Sequence, residues 1–446
     1  MTLYKRLFSI ATPIAIQQII FASVNFLDTL MVGQLGETAL AAVGLSNQVF
    51  FVYNLLLFGL TSGGAVFVAQ YWGRRETDHI STTTALTLSL ALLFSVPFFV
   101  PGFFFSAQTL RLFTPDPEVL QVGKEYLAVI SIGFFASAFS LTFYSVLRST
   151  EHAFVAMFIS VTAILTNVVL NFLLIFGNLG FPRLGVFGAG IATLVARILE
   201  MVLVLVVVFG KRFPGSLKWE SFRKIHLGFF KRYMKVTLPT MGNELFWSLG
   251  ITMYSVVYGH ISTRVLSAQR ILNSIESFTF SLLFAIASGT AVILGQSLGL
   301  SRFEQTKSEA ARVLRLSFIL SVSVGVVLFL LSPLLLSLYN VPGEVKSLAQ
   351  TLILLSMLFL PLKNLNLMFV VGTLRAGGDT RFSFLVESGS LWLAGVPLTA
   401  LAGLVWRFPF PVVYAMTLVE ETLKLVFLFR RYISGKWLKN VVDSPS

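Results

Sequence analysis

The amino-acid sequence predicts an all-α polytopic membrane protein, with about 12 transmembrane helices in two six-helix bundles related by a pseudo-twofold axis along the membrane normal. Three observations support this class: the composition, the number of apolar windows, and a repeat that relates the two halves. Of the 446 residues, 56% are hydrophobic and 12% are charged, whereas a soluble domain has roughly 25% charged residues. Lipid is therefore the expected solvent of this chain.

The apolar windows give the predicted elements in order. A helix needs about 20 mostly apolar residues to cross the hydrocarbon. Windows of this length occur at residues 8–32, 47–72, 84–106, 121–146, 154–177, 186–209, 233–258, 270–297, 313–338, 346–372, 384–405 and 408–430. They lack strict alternation, so they are predicted to be helices rather than strands of a barrel.

Lysine and arginine are concentrated in alternate loops, including those with Arg74, Arg148 and Arg375. The positive-inside rule places these loops and both termini in the cytoplasm. We therefore expect a multi-pass protein of the cell membrane, or of the inner membrane in a cell with two membranes. The formal charge of +13 is explained by basic loops that face anionic lipid headgroups, so no nucleic-acid partner is expected.

Several classes of chemistry are excluded by what the sequence lacks. It contains no cysteine, which excludes disulfides and thiol chemistry. It contains no GxxxxGK[ST] motif, so ATP is not expected to drive this chain directly. An ion gradient supplies about 2.3 kcal/mol per charge per 100 mV. We expect no cofactor and no metal centre, only a coupling ion, H⁺ or Na⁺.

The two halves of the chain are related by an internal repeat with an offset of 226 residues. The matched pairs are Pro13 with Pro239, Gly33 with Gly259, Ala42 with Ala268, Asn47 with Asn273, Phe58 with Phe284, Gly63 with Gly289, Gln70 with Gln296, Gly73 with Gly299 and Glu118 with Glu344. At an offset one residue larger, Leu147-Arg148 matches Leu374-Arg375. Pairs that include Pro, Gln, Glu and Arg are not explained by apolar composition.

The repeat sets the domain organisation. We predict an N-terminal six-helix bundle at 1–210, a basic cytoplasmic linker at 211–232, a C-terminal six-helix bundle at 233–432 and a cytoplasmic tail at 433–446. An even number of helices in each half is typical of transporters with parallel repeats, in which one bundle rocks against the other to give alternating access. A duplicated channel or membrane enzyme is the alternative.

Several segments resemble the multidrug and toxic compound extrusion (MATE) family, within the multidrug/oligosaccharidyl-lipid/polysaccharide exporter superfamily. They are Pro13, Gln17, Asn25, Asp28 and Gly33 in the first helix, Ala41-Ala42-Val43-Gly44, Ala69-Gln70-Tyr71-Trp72-Gly73, Leu147-Arg148, Gly185 to Thr193, and Leu374-Arg375 with Gly377-Gly378-Asp379. The resemblance covers essentially the whole chain, and it rests on the order and duplication of these motifs.

The resemblance implies a secondary active transporter rather than an enzyme. It implies an antiporter that exports small cationic or amphipathic compounds such as drugs, coupled to H⁺ in preference to Na⁺. The expected partners are a small-molecule substrate and the lipid bilayer, and the chain is expected to be a monomer. A flippase for a lipid-linked oligosaccharide or peptidoglycan precursor is the alternative, and a channel or membrane enzyme is a further one.

Asp28 is the first candidate for ion coupling. A carboxylate inside a membrane helix costs about 2.5 to 3.5 kcal/mol on insertion scales, so it needs a partner, a proton or a wet cavity. Gln17, Asn25 and Asp28 follow one helical face, which predicts a polar stripe that lines a cavity. The family places its proton-coupling Asp here. In the alternative interpretation, Asp28 bonds a neighbouring helix or caps the helix end.

Helix five supplies the next candidates. Asn167 and Asn171 are four residues apart and share a helical face, and Thr193 ends the motif that opens helix six. We predict that these three side chains line the cavity. The family often has Asp at the position of Asn171. The acidic partner that Asp28 usually has in the family is therefore missing in this sequence. Structural hydrogen bonds between helices are the alternative role for the two amides.

In the second half, Glu244 matches a Glu of the cation site in the sodium-coupled branch of the family, so it is the second candidate for ion coupling. The Asp of that site aligns with Asn364, beside Lys363. A positive charge there opposes sodium, which favours protons. Lys363 and Asn364 are included among the cavity residues. Alternatively, Lys363 pairs with Glu244 as a fixed structural ion pair.

Other charged residues within the spans have partners in their own helices. Arg197 with Glu200, and Lys424 with Glu420 or Glu421, are three or four residues apart and can neutralise each other. Their spacing predicts structural ion pairs. Glu276 and Glu387 also lie deep in predicted helices, and their spacing assigns them no role.

Overall fold

The computed structural model describes residues 2–443, so residues 444–446 of the predicted tail lie outside the described part. The first half contains α1 (Leu3–Gly33), α2 (Glu37–Gly73), α3 (Thr77–Phe104), α4 (Ser106–Arg111), α5 (Pro117–Ser149), α6 (Ala153–Phe176) and α7 (Gly185–Gly210). The second half contains α8 (Trp219–Arg223), α9 (Leu227–Ile261), α10 (Thr263–Gly299), α11 (Phe303–Ser337), α12 (Gly343–Leu367), α13 (Thr380–Ser390), α14 (Val396–Ala400) and α15 (Phe410–Ile433). A 3₁₀ turn covers Asn178–Gly180, and π-helical turns cover Met368–Leu374, Leu391–Gly395 and Leu401–Val405.

Ten helical segments of the described chain are long and apolar enough to cross a membrane, counting Gly343–Leu374 and Thr380–Val405 as one span each. The two other long helices, α9 and α15, are more polar; α15 carries Glu420, Glu421 and Lys424 in its middle. Together these make six long helices in each half. The predicted fold class is therefore confirmed: the chain is an all-α polytopic membrane protein with two six-helix bundles.

Many hydroxyl groups inside these helices bond the backbone of their own helix. In α3, the hydroxyls of Thr83, Thr84 and Thr87 each donate to the carbonyl four residues earlier, at 2.8 Å. Such back-bonding removes the cost of an unpaired hydroxyl in an apolar surrounding. Many large apolar side chains, in contrast, are exposed, Phe26 and Leu93 among them. This distribution fits helices that face lipid.

Side-chain caps mark the starts of two helices, α5 and α10. Asp116 precedes α5, and its Oδ1 accepts from Glu118 N at 2.9 Å, with Pro117 in the first turn of the helix. Ser262 caps α10 by accepting from Val265 N at 3.2 Å. Local sequence therefore fixes where these helices begin.

The described chain forms two compact units that divide inside α1 and α9. One unit joins the residues up to Ala11 with those from Leu238 onward, and the other runs from Thr12 to Thr237. The first turns of α1 are thus packed with the second half of the chain, and the first turns of α9 with the first half. The predicted domain boundaries at residues 210 and 233 concern membrane topology and not compact units, and they remain predictions.

A repeated glycine makes each of these exchanged contacts possible. A Cβ at Gly63 of α2 would lie 2.7 Å from the Cα of Thr237, and a Cβ at Gly289 of α10 would lie 3.2 Å from a side-chain carbon of Leu7. Arg6 Nη2 also donates to Gln296 Oε1 at 2.6 Å. The Gly63 and Gly289 match in the repeat therefore reflects close helix approach in both units.

A π-helical turn explains why the offset of the repeat changes from 226 to 227. A π turn accommodates one additional residue within a helix. Such a turn covers Met368–Leu374, directly before Arg375, and no equivalent turn interrupts α5 before Arg148. The additional residue is thus absorbed in the helix, and Arg375 keeps the orientation that its counterpart has in the first half.

The end of the described chain folds back onto the second unit. Trp437 is fully buried, and its Nε1 donates to Tyr432 O at 3.0 Å. A Cβ at Gly377 would collide with the carbonyl oxygen of Trp437. Asn440 Nδ2 donates to Gly299 O at 3.1 Å. The segment after α15 therefore ties together the α10–α11 and α12–α13 connections.

Asp379, in the α12–α13 connection, holds this segment through charge. It accepts from Arg431 at 2.6 and 2.9 Å and from Lys439 Nζ at 2.8 Å. Burial opposes the ionisation of Asp379, but the hydrogen bonds from Arg431 and Lys439 outweigh it and hold the pKa of this carboxyl below its ordinary value.

We expect the Asp379 cluster to lose its stabilising effect in acid. A depressed folded-state pKa stabilises the protein above the unfolded-state pKa of about 3.9 and ceases to do so as the pH falls through the folded-state value. The melting temperature of the wild type should exceed that of Asp379→Asn at neutral pH, and the difference should shrink as the pH falls below about 4 and vanish once the pH lies below the folded-state pKa of Asp379. A difference that persists there would contradict an ionic role for Asp379.

Candidate functional site

The candidate site of the first half is built around Asp28, in the last third of α1. Asn171 Nδ2 of α6 donates to Asp28 Oδ1 at 2.8 Å. Asn171 is 2% exposed, and its own Oδ1 is buried without a hydrogen-bond partner among the described residues. A neutral amide can donate to a carboxyl group whether or not that group is ionised. This bond therefore positions Asp28 without fixing its charge.

Asn167 lies one turn before Asn171 on the same face of α6. When its amide is oriented so that the nitrogen faces the available acceptors, Nδ2 donates to Asp28 Oδ2 at 3.2 Å and Oδ1 accepts from Thr193 N at 3.3 Å. Both oxygens of Asp28 then accept from amide nitrogens. The structure thus brings together Asp28, Asn167, Asn171 and Thr193, four of the residues that the sequence singles out.

Two polar residues that the sequence did not indicate lie in the same unit. Tyr126 of α5 donates to Asn47 Oδ1 at 3.3 Å and interacts electrostatically with Asp28. Asn47 belongs to the repeat, where it matches Asn273, and that match was the available signal. Tyr126 gave no signal in the sequence.

Arg197 is a cation whose charge acts on Asp28, but its direct partner is elsewhere. Its Nη1 contacts Glu200 Oε2 at 3.0 Å, and Glu200 Oε1 accepts from Tyr144 at 2.8 Å. The predicted local pair of Arg197 with Glu200 is therefore confirmed. Because the guanidinium is engaged by a carboxylate, it attracts Asp28 only weakly.

The predicted polar stripe of α1 does not form one continuous surface. Gln17 is buried and its Oε1 accepts from Arg148 Nη2 at 2.6 Å, whereas Asn25 is exposed. Gln17 thus anchors α1 to α5, and the contacts of Asp28 come from α6. The cavity roles of Gln17 and Asn25 remain predictions.

In the second half, Glu244 is paired with Arg375. Glu244 Oε1 accepts from Arg375 Nη2 at 3.0 Å, and the two side chains are 12% and 5% exposed. Arg375 thus bonds α9 one position after the counterpart of Gln17, the residue that Arg148 bonds in the first half, so the repeated Leu-Arg motif fastens the first helix of each half. The role of Arg375 as a partner of the first helix could have been inferred from two features of the sequence. The Leu-Arg motif is repeated, and the first helix of each half carries a polar residue, Gln17 or Glu244.

The alternative ion pair of Lys363 with Glu244 is wrong. Lys363 Nζ instead contacts Glu276 Oε1 at 2.8 Å and donates to Tyr414 at 3.1 Å. Glu276 also accepts from Ser356. Helix α10 thus supplies the acid of this pair, because Glu244 on α9 is held by Arg375.

Asn364 points away from Lys363, its neighbour in sequence. Its Nδ2 donates to the Ser317 carbonyl at 2.9 Å and to Ser317 Oγ at 2.8 Å, and the side chain is buried. Asn364 therefore joins α12 to α11, while Lys363 joins α12 to α10. The structure gives Glu244, Lys363 and Asn364 separate partners, and their roles in a shared site stay predictions.

The local ion pairs of α15 are confirmed. Lys424 Nζ lies 2.6 Å from Glu420 Oε1 and 2.9 Å from Glu421 Oε1. Glu420 also accepts from Tyr254, and Glu421 accepts from Asn366 Nδ2 at 2.7 Å. The cluster connects α15 with α9 and α12 through charge-assisted hydrogen bonds.

A model of the MatE family matches residues 13–173 and 239–401. The two matched segments begin 226 residues apart, at the offset of the internal repeat. Together they cover more than half of the chain.

Curated relatives match over nearly their whole length. YisQ of Bacillus subtilis, an uncharacterized transporter, is 24% identical, and the alignment covers 97% of this chain and 95% of that protein. A probable multidrug resistance protein NorM of Thermotoga maritima is 26% identical, with 98% and 94% covered.

Solved structures show the same fold. A MOP superfamily transporter from Pyrococcus furiosus superposes with a TM-score of 0.88 at 20% identity, covering 98% of this chain and 97% of that one. The outward-facing conformation of a multidrug resistance MATE family transporter gives a TM-score of 0.84 at 20% identity, with 98% and 97% covered. At this identity the likeness establishes the fold alone.

Proposed function

Because this chain belongs to the MatE family, whose members are secondary transporters and not enzymes, we propose that it exports small cationic or amphipathic compounds by antiport with H⁺. The relatives named as probable multidrug resistance proteins support this substrate class. Alternating access between two six-helix bundles provides the route.

The single observation that carries the proposal is the set of hydrogen-bonding groups around Asp28. Its direct partner is a neutral amide, Asn171, at 2.8 Å. The Asn171 oxygen beside it is a buried acceptor with no donor among the described residues. An ionised Asp28 accepts from the amide nitrogen, and a protonated Asp28 can also donate to the amide oxygen. The site therefore accommodates both states, as a group that binds and releases a proton in each cycle requires.

Glu244 is a weaker candidate for coupling than Asp28. Its carboxylate is neutralised by Arg375 at 3.0 Å, and a proton on Glu244 would remove the negative charge that balances the buried guanidinium. We propose that Glu244 contributes a fixed charge, while Asp28 carries the exchanged proton. The other predicted cavity residues stay in the proposal as side chains that line the cavity. They are Gln17, Asn25, Asn167, Thr193, Lys363 and Asn364.

The flippase alternative receives less support from the charges inside the bundles. A pyrophosphate headgroup requires free Arg or Lys side chains. Arg197, Lys363 and Lys424 each lie within 3.0 Å of a carboxylate oxygen. A phosphorylated lipid would have to displace these carboxylates, whereas an organic cation would not.

The proposal includes the location of the protein. A multi-pass chain with basic loops on one side should have both termini in the cytoplasm, in the cell membrane, where an exporter acts. One chain contains both repeats, so we propose a monomer as the transporting unit.

Transport in proteoliposomes tests the coupling. We expect a proton gradient, and not a sodium gradient, to drive the exchange of a fluorescent organic cation by the wild type. Asp28→Asn should abolish this exchange, because the amide cannot release a proton, while binding of the cation in detergent should persist.

A control is Glu309→Gln, which changes a carboxyl group of the other unit whose two oxygens accept from neutral donors, Ser297 and Gln305. It should retain gradient-driven transport at reduced stability. Full transport by Asp28→Asn would remove Asp28 from the mechanism. If neither gradient drives the cation in the wild type, antiport is the wrong function and the flippase becomes the hypothesis to test.

A further inference from the structure

Glu387 of α13 is an acidic side chain of the second half to which the proposed function gives no role. The side-chain amide of Asn243 on α9 interacts with it as a hydrogen-bond donor, and α9 packs closely on α13 here, since a Cβ at Gly242 would lie 3.2 Å from Phe384 Cε2. Asn243 is 5% exposed, so the bond lies inside the second unit. Asn243 is the counterpart of Gln17 in the repeat, but it does not bond the repeated arginine, which is bound to Glu244.

This pair is left with two buried oxygens that face no donor. Neither Asn243 Oδ1 nor Glu387 Oε2 has a hydrogen-bond partner within residues 2–443. A buried polar atom without a partner costs about 1–3 kcal/mol, and buried polar groups are nearly always paired. Among the described residues, each of these two oxygens is thus an acceptor that lacks a donor.

One proton supplies that donor. A protonated Glu387 has an O–H at Oε2, which can donate to Asn243 Oδ1 while the Asn243 amide donates to the other carboxyl oxygen. The two side chains then form a closed pair with two hydrogen bonds. An ionised Glu387 provides only acceptors and leaves Asn243 Oδ1 unpaired.

We propose that Glu387 is a second proton-binding carboxyl group and that it carries a proton in the conformation described here. The proposal rests on the proposed function, since it adds a proton site of the second half to the site at Asp28. The proton binds to Glu387 from the side of the membrane with the higher proton concentration and is released to the opposite side.

The charged groups around Glu387 already have partners of their own. Lys424 and Glu421 of α15 and Glu244 of α9 act on Glu387 through charge. Lys424 is shared between Glu420 and Glu421, and Glu244 is paired with Arg375. The π turn Met368–Leu374 packs against α13 and contains no ionisable side chain. Unlike these carboxyl groups, Glu387 forms no ion pair within the part of the chain that the structure describes.

The first half contains the same arrangement with the two roles exchanged. There the acid, Asp28, lies on the first long helix of the half and the amide, Asn171, on the fifth. In the second half the amide, Asn243, lies on the first long helix and the acid, Glu387, on the fifth. Among residues 2–443, the amide oxygen of each half, on Asn171 or Asn243, is a buried acceptor without a donor. The same helix pair thus presents one carboxyl–amide pair per half.

Infrared spectroscopy of the protein in liposomes tests the proposal directly. The carbonyl band of a protonated carboxyl group should be present at neutral pH in the wild type and lost in Glu387→Gln. The band should shift on exchange into D₂O. Glu309→Gln is the matched control, because both oxygens of Glu309 accept from donors, Ser297 and Gln305 at 2.8 Å, and this variant should leave the band unchanged.

The amide partner provides a second variant. Asn243→Leu removes the acceptor of the proposed O–H bond, so the carbonyl band of Glu387 should shift in frequency or be lost. If Glu387→Gln does not fold, this variant alone decides: an unchanged band overturns the proposal. A wild-type spectrum that is identical to that of Glu387→Gln overturns it as well.

The infrared result does not depend on transport. If no gradient drives transport in the wild type, the proposed antiport fails, yet the carbonyl band still reports whether Glu387 is protonated. If antiport is shown but the band of Glu387 is absent, the second proton site is wrong and the site at Asp28 stands. The two failures are therefore distinguishable.

Discussion

Arg375→Met is expected to lower the free energy of unfolding by about 3–5 kcal/mol, because it leaves the Glu244 carboxylate buried without its cation. The pair is separated by 3.0 Å and is almost fully enclosed. Thermal unfolding in detergent, followed by intrinsic tryptophan fluorescence, measures the loss. The chain has six tryptophans and no cysteine, so this signal is available and thiol-reactive dyes are not.

The repeat provides the matched control for this prediction. Arg148→Met removes the same guanidinium from the first half but leaves a neutral acceptor, Gln17. The expected loss is smaller, about 1–3 kcal/mol, the cost of an unpaired neutral group. The double variant Arg375→Met with Glu244→Met should recover stability, since no charge is left alone. Equal losses for Arg148→Met and Arg375→Met would show that charge is not the cause.

Lys424→Met is expected to have the larger effect on folding, with little protein accumulating in the membrane. It removes the cation between two carboxylates of α15, Glu420 and Glu421. Breaking one buried pair costs about 3–5 kcal/mol, and here two carboxylates lose their partner. The amount of folded protein after detergent extraction, measured by size-exclusion chromatography, gives the result.

Two further variants separate charge from shape at this cluster. Lys363→Met removes a cation that contacts a single, more exposed carboxylate, Glu276, and should cost less. Adding Glu420→Gln and Glu421→Gln to Lys424→Met removes the uncompensated charge and should restore the yield. Wild-type yield of Lys424→Met alone would mean that the cluster does not depend on its ion pairs.

Much of the fold could be predicted because lipid imposes a simple requirement on composition and length. Each of the twelve apolar windows corresponds to a long helix. The windows underestimate helix length where the helix leaves the apolar region; α2, for example, begins at Glu37 rather than at residue 47. Charge and hydropathy do not reveal where such helices begin and end, because the hydrogen bonds of the helix ends form in polar surroundings.

The site was predictable where partners lie on one helix and much less so where they lie on different helices. Spacing identified Lys424 with Glu420 and Glu421 correctly. It could not identify Glu276 as the partner of Lys363 or Arg375 as the partner of Glu244, since helix rotation and packing decide which faces meet. Those pairings required three-dimensional coordinates.

The exchanged first turns of α1 and α9 impose an order on how this protein is made. Arg6 contacts Gln296, which the ribosome adds 290 residues later, and Leu7 and Ile10 are completely buried. The beginning of the nascent chain must therefore wait for most of the polypeptide before it finds its packing partners. Each half needs a segment encoded in the other, so a gene cut between the repeats would yield two fragments that can complete their folding only in each other's presence.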